Sequence, residues 1–247
     1  MADSVGSSGV QSLNRAFDLI EAVADAGGRL SVGELADLVG LPLSTTHRLL
    51  QTLVALGYMR QLRDRRYALG FRLVPLGAAA HRLVGAGTER TLSGLVSDLG
   101  ETANLAILAG DSAEYVAQVP SSHSMRMFTE VGRRVDLHST GVGKALLAQL
   151  TGEEVDTVVR RAGLTQYTAN TIGTKDALHA ALSVIRERGY ALDNEEQEIG
   201  VRCVAVAAPP PMPVGTAISV SGPLARLDDA FVARAVPLLH EAAVRLA

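Results

Sequence analysis

Residues 30–59 read LSVGELADLVGLPLSTTHRLLQTLVALGYM, and this stretch decides what the first third of the 247-residue chain must be. Ser31 followed by Glu34 is a capping box that starts a helix, with Leu35 and Leu38 as its apolar side and Gly40 as its stop. After the tight connection Gly40-Leu41-Pro42-Leu43, Ser44 is placed to cap a further helix running to about Leu56, which Gly57 ends. At helical spacing Thr46, Leu49, Leu50 and Leu53 fall on one side of it, and Ser44, Thr45, Arg48, Gln51 and Thr52 on the other. The first side is core. The second carries short hydroxyls, an arginine and a glutamine that can reach base edges, so the pair of helices is expected to form a helix-turn-helix whose second helix suits the major groove.

Working outward, Leu13, Phe17, Ile20 and Ala24 recur at helical intervals after Ser12, and Gly27 with Gly28 stops that run. Downstream, Tyr58 to Gly70 is expected to form two strands, Tyr58, Met59 and Leu62 answering Tyr67 and Leu69 across the turn Arg63-Asp64-Arg65-Arg66. The segment 60–66 holds four arginines against one aspartate. Alone such a run is a solvated turn; beside a helix-turn-helix it becomes a wing tip able to meet phosphates. The candidate DNA contacts are therefore Ser44, Thr45, Thr46, His47, Arg48, Gln51, Thr52, Arg63, Arg65 and Arg66. His47 sits on the flank between the two helix faces, where packing or a place beside a phosphate is equally open. A net charge of −3 and a pI near 6.1 do not oppose this reading, because affinity depends on the arginines that face the backbone. One such module makes a small contact, so a dimer on two half-sites of double-stranded operator DNA is expected.

With 47% hydrophobic and 20% charged residues the chain can bury real cores. Only residues 1–11 are expected to be a loose tail. There is no charged and apolar leader pattern and no apolar run long enough to span a membrane, so a cytoplasmic protein with no membrane partner is expected. The single cysteine, Cys203, excludes an internal disulfide and a Cys-rich zinc site, and no metal or cofactor motif stands out. Three blocks follow the tail: the DNA-binding module at 12–70, an alanine-rich linker helix at 71–87 with Leu73, Leu76, Ala80 and Leu83 on one stripe, and a mixed region at 88–247. The linker stripe must bury against its own chain or a partner's, whereas His81 and Arg82 are expected at its surface. The mixed region begins with a helix carrying Leu92, Leu95, Val96 and Leu99. Strands are expected at 103–108, 114–119, 124–128, 190–192, 203–207 and 216–220, and helices at 143–150, 153–161, 176–188 and 224–246, an α+β domain.

Two stretches of that region carry chemistry. In GRRVDLHSTGVGKALLA, residues 132–148, a strand end meets a Gly-rich turn whose exposed amides can hold a small anion. It is not a phosphate loop, because Ala145 follows Lys144 where Ser or Thr is needed and His138 stands where the first glycine belongs. In DNEEQEIGVRCVAVAA, residues 193–208, an acidic loop leads into a buried strand at Cys203, and TAISVSGP, residues 216–223, alternates Ser219 and Ser221 onto one face. A carboxylate, a thiol, hydroxyls and amides suit a small polar ligand. Equally, Cys203 is a small core residue and the serines are satisfied locally. A reading of another class, an enzyme, would use Cys203 as nucleophile, His138 as base and Asp193 as orienter.

Taken together these segments resemble the IclR family of bacterial regulators from Ser12 to Leu246, most specifically through LHSTGVGKALLA at 137–148 and EEQEIGVRCVAV at 195–206. LSVGELADLVGLPLSTTHRLLQTLVALGYM and the closing RRYALG at 65–70 match as well. The resemblance implies a winged helix-turn-helix, a linker helix and a GAF-like effector-binding domain, no catalytic function, and dimers that pair into tetramers. It further implies an effector site of Gly141, Val142, Asp193, Cys203, Ser219 and Ser221 with Met125 and Met127 as apolar wall. Asp136 departs from the proline usual before the Leu-His pair. Within the family, VAQVPSSHSMRMFTEVGRRV at 116–135 is most similar to repressors of allantoin and purine-ureide catabolism, implying glyoxylate, allantoin or allantoate as effector. An activator, or a regulator of another carboxylic-acid or aromatic-acid pathway, is the alternative on the same fold.

Overall fold

A computed structural model describes residues 10–127, 129–210, 212 and 215–246, and of residues 81–86 the backbone alone. Most of the expected tail, Phe128 of the strand expected at 124–128, and the side chains of His81, Arg82 and Leu83 lie outside the described residues. The chain divides into two units, residues 1–83 and 84–247.

The first unit is built from α1 (Gln11–Asp25), β1 (Arg29–Leu30), α2 (Val32–Val39), α3 (Leu43–Ala55), β2 (Met59–Gln61) and β3 (Tyr67–Leu69). Its three strands pair antiparallel in the order β1-β3-β2, so the hairpin gains a third strand that two residues, Arg29 and Leu30, were too short to announce. The capping box at Ser31 and Glu34 is formed in both directions, and Gly40 closes α2 in the left-handed conformation at φ 65°. Leu19, Val23, Leu35, Leu50, Leu53, Met59 and Tyr67 make the core.

Three expectations change here. In α1 the buried stripe is Leu19 and Val23, while Leu13 and Phe17 remain 56% and 55% exposed; the helix holds two apolar stripes and the core takes the one nearer its end. Leu38 points outward at 64% exposed, because the eight-residue α2 offers the core only Leu35 and Ala36. Ser44 does not cap α3. Pro42 stands at the N-cap, its carbonyl receiving the amides of Thr45 and Thr46, a position its fixed φ favours.

The second unit opens within α4 (Leu73–Leu99), one helix of 27 residues. The linker expected to end at 87 and the helix expected after it are therefore continuous. Gly85 and Gly87 each weaken a helix by only about 1 kcal/mol, which the burial of Leu92 and Leu95 in the last turns offsets. There follow β4 (Thr102–Ala109), β5 (Ser112–Val119), β6 (Arg134–Asp136), α5 (Gly141–Leu147), α6 (Gly152–Ala162), α7 (Lys175–Arg188), β7 (Ala191–Asn194), β8 (Val201–Ala207), β9 (Thr216–Pro223) and α8 (Asp229–Leu246). Residues 124–127 are irregular backbone and not a strand; the edge strand is β6.

The six strands run antiparallel in the order β6-β5-β4-β9-β8-β7. Alternation gives the sheet two different faces. Ala103, Leu105, Val204, Val206, Ile218 and Val220 pack on one side with Phe231, Ala235 and Leu239 of α8 and with Leu92 and Leu95. On the other, Ala106, Ala205 and Ala217 admit the small α5 close to the sheet, and α6 and α7 cover it. Further along that second face the alternating positions turn polar: Asn104, Ser219, Ser221, Cys203 and Asp193, all buried.

Candidate functional site

In the first unit α3 presents Ser44, His47, Arg48, Gln51 and Thr52 to solvent, with Thr45 half-buried. Thr46 does not join them. It is fully buried and its hydroxyl donates to the Pro42 carbonyl at 3.2 Å, so it belongs to the helix's packed side. The wing turn is closed by the Leu62 amide donating to the Arg66 carbonyl and the Arg65 amide to that of Leu62, with Arg65 in the left-handed region at φ 64°. Asp64 accepts from the Arg66 amide at 3.2 Å, which spends the one acid of the run on the turn itself. Arg63, Arg65 and Arg66 are thereby left exposed at the tip. Arg60, the first arginine of the basic run, is turned back onto the fold: its Nε donates to the Leu69 carbonyl and its guanidinium lies over the Phe71 ring at 4.9 Å.

In the second unit the ends of β7, β8 and β9, the turn into α5 and the strap after β5 enclose a cavity of about 60 Å³. Its walls include Gly141, Asp193, Cys203, Ser221 and Met127, five of the residues expected there. Close approach is what Gly141 provides. A Cβ at that position would stand 2.9 Å from Cys203 Sγ and 3.3 Å from its carbonyl oxygen, so α5 could not lie so near β8. Gly143 is tighter still, with Leu137 backbone 2.4 Å from where its Cβ would be. Thr140 caps α5, accepting from the Gly143 amide at 3.1 Å and donating to the Asp136 carbonyl at 2.8 Å.

The other expected residues stand apart from the wall. Val142 is fully buried and packs into the core under α5. The Ser219 hydroxyl is fully buried beside the Cys203 thiol and meets no nitrogen or oxygen partner among the described residues. Met125 is 72% exposed and lines an outer groove of about 400 Å³ that shares Met127, Arg133, Glu198 and Val201 with the inner cavity. Its carbonyl accepts from Arg226 Nη2 at 2.8 Å, and Arg226 is paired with Glu101. Sequence reading missed Tyr115, Thr129, Arg133, Gln197 and Glu198 in the wall. Arg133 was visible in the quoted Gly-Arg-Arg, but Tyr115 arrives only because β5 pairs with β4, and Thr129 only because its hydroxyl donates to Asn104 Oδ1 from the strap.

Electrostatics follow from burial. Loss of water pushes the Asp193 carboxyl up to about 7, although its Oδ1 accepts the Glu196 amide at 2.8 Å and the Gln197 amide at 3.4 Å. Burial likewise pushes the Cys203 thiol up to about 12, so it stays protonated. Lys144 and Glu196 form a buried ion pair that ties α5 to the acidic loop. The enzyme reading loses its parts: the thiol is not a thiolate, and His138 is engaged with the Thr165 carbonyl at 2.9 Å outside the cavity wall. What remains is a small chamber able to enclose a ligand of a few heavy atoms, with a carboxyl that can stand neutral.

Comparison with known proteins agrees across both units. The IclR helix-turn-helix domain matches residues 12–63, and the bacterial transcriptional regulator IclR C-terminal family matches residues 78–247. The chain is 38% identical over 226 residues to the transcriptional repressor IclR of Escherichia coli, covering 89% of this chain and 82% of that protein. It is 35% identical over 240 residues to the HTH-type transcriptional repressor AllR of Escherichia coli, covering 94% and 88%. The crystal structure of an IclR transcriptional regulator from Silicibacter superimposes with a TM-score of 0.79 at 26% identity, covering 95% of this chain and 94% of that one. These relatives are regulators and not enzymes. An N-terminal DNA-binding module and a C-terminal effector domain of this kind, matched along nearly the whole length, mean that the chain belongs to the IclR family of transcription regulators.

Proposed function

We propose that the chain is a cytoplasmic repressor that binds operator DNA as a dimer, with tetramers formed by pairing of dimers, and that a small carboxylate releases it. In this reading residues 12–70 bind DNA, 71–87 link, and 88–247 sense the effector. Ser44, Thr45, His47, Arg48, Gln51 and Thr52 approach base edges and phosphates, and Arg63, Arg65 and Arg66 approach the flanking backbone.

The observation that carries the effector assignment is the small recessed chamber bounded by Gly141, Asp193, Cys203 and Ser221. At about 10 to 15 Å³ for each enclosed group the size of a water, about 60 Å³ suits a two-carbon oxo acid. Glyoxylate fits that measure. Allantoin and allantoate, larger ureides, would have to extend toward the outer groove past Met127 and Arg133. Genes of ureide and purine catabolism are the targets in this reading, a step supported by the local likeness at 116–135.

The test is a titration of operator affinity against glyoxylate, allantoin and allantoate. Weakened operator binding with glyoxylate at the lowest concentration is expected. Indifference to all three would overturn the pathway assignment, and tightened binding would make the protein an activator or co-repressed regulator instead.

A further inference from the structure

One buried polar residue of the sheet lies outside both the apolar cores and the cavity wall. Asn104 is fully buried in the middle of β4, between β5 and β9. Such a side chain costs stability unless all its hydrogen-bonding groups are met. Its Nδ2 donates to Ser221 Oγ at 3.3 Å. Its Oδ1 accepts from Thr129 Oγ1 at 2.9 Å and from Gln118 Nε2 at 3.3 Å. Ser221 and Thr129 belong to the cavity wall; Asn104 and Gln118 do not.

We propose that Asn104 is a positioning residue that sets the polarity of the effector chamber: by donating to Ser221 it leaves the Ser221 O–H proton to point at the ligand. The inference rests on the effector reading above and deepens it. A serine hydroxyl has one proton to give. Were Asn104 to present its carbonyl to Ser221, that proton would be spent within the sheet and the chamber would offer the ligand only a lone pair. With the amide facing Ser221, the hydroxyl acts as a donor, and it does so alongside an Asp193 carboxyl that burial keeps readily protonated. The chamber then selects ligands made of acceptors, which is what a carboxylate is. Thr129, on the strap after β5, is held to the same amide, so the orientation that suits the ligand also pins the strap.

The direct reversal, Asn104→Asp, buries a carboxylate in the sheet and endangers the fold, so the decisive variant is Gln118→Glu at a half-buried position outside the wall. A carboxylate there can only accept. It draws the Asn104 amide toward itself, turns the Asn104 carbonyl to Ser221 and so takes the proton from the ligand. Calorimetric titration with glyoxylate is expected to show affinity falling about tenfold in Gln118→Glu, the scale of one hydrogen bond to a charged group. In a Ser221→Ala background the same substitution should change affinity by less than about twofold, because the group through which it acts is gone. An equal loss in both backgrounds would mean plain charge repulsion and would overturn this inference while leaving the effector reading intact. No glyoxylate binding by the unaltered protein would overturn both.

Discussion

The Asp193 carboxyl is where the chemistry of this chain is most unusual, and its effect has a definite sign. An acid held at about 7 in the folded state against an ordinary 3.8 binds its proton more tightly folded than unfolded. Its contribution to stability is therefore greatest below the ordinary value, falls as pH rises toward about 7, and is flat above it. The Asp193→Asn variant keeps an oxygen that accepts from the Glu196 and Gln197 amides but has no charge to bury. Above pH 7 the variant should be more stable than the parent by about 2 to 4 kcal/mol, with the difference vanishing near pH 4; thermal melts across that range check it. An anionic effector is repelled by the ionised form, so its affinity should fall about tenfold per pH unit above 7 in the parent, and be level in the variant. The neighbouring Gly141 yields a second expectation. Gly141→Ala drives a methyl against Cys203 Sγ, and overpacking of this kind costs about 1 to 3 kcal/mol. Cys203→Ala in the same chain removes the obstructing sulfur, so the double variant should recover most of that stability in denaturant titrations. Of these residues Asp193, Cys203 and Ser221 were legible as a polar group in the sequence, since they punctuate otherwise apolar strands. Asn104 and Tyr115 were not: Asn104 in β4 joins the group only by pairing with β9, about a hundred positions away, and Tyr115 only because β5 pairs in turn with β4.

Elements were legible where a local signal ends them. Ser31 with Glu34, and Gly40, mark helix ends that the structure reproduces by a cap bond and a left-handed turn, and Thr151 with Glu154, Thr174 and Gly189 bound α6 and α7 in the same ways. Helix α4 was misjudged for the converse reason: glycines inside it imitate stops, while the buried Leu92 and Leu95 in its last turns offset their cost. Gly70 is a glycine whose role no sequence pattern gives away. A Cβ there would stand 2.1 Å from the Gly57 carbonyl oxygen, where β3 returns beside the end of α3. Gly70→Ala should thus disrupt the first unit while the second, with its own cores, still binds effector; loss of operator binding with retained glyoxylate titration is the expected pair of results. The wing makes a milder demand. Each phosphate-facing arginine adds about 0.9 to the slope of log affinity against log salt. Replacing Arg63 and Arg65 by Ala should lower that slope by about 2 per protomer with little effect on stability, since both side chains are exposed. Arg66 should add less, because it shares its charge with Asp64 at 3.8 Å.

For the molecule as a whole, control of one unit by the other is a free-energy statement that needs no picture of the route between them. Effector and operator must each favour a different state of the chain, and the difference in effector affinity between those states is all the work available to release DNA. Coupling in such proteins is typically about 1 to 3 kcal/mol, or about 5- to 150-fold in affinity. Because the coupling is a property of the cycle, it is reciprocal: the factor by which saturating glyoxylate weakens operator binding must equal the factor by which operator DNA weakens glyoxylate binding. Both arms are accessible, the first by fluorescence anisotropy of labelled operator with and without glyoxylate, the second by calorimetric titration of free and operator-bound protein. Equal factors are expected, and Asp193→Asn should lower the direct affinity for glyoxylate at low pH far less than it alters the pH dependence of both arms together. Unequal factors would show that glyoxylate also acts elsewhere, on the DNA-binding unit or on assembly, and a concentration series in protein would separate those two, since only assembly depends on it.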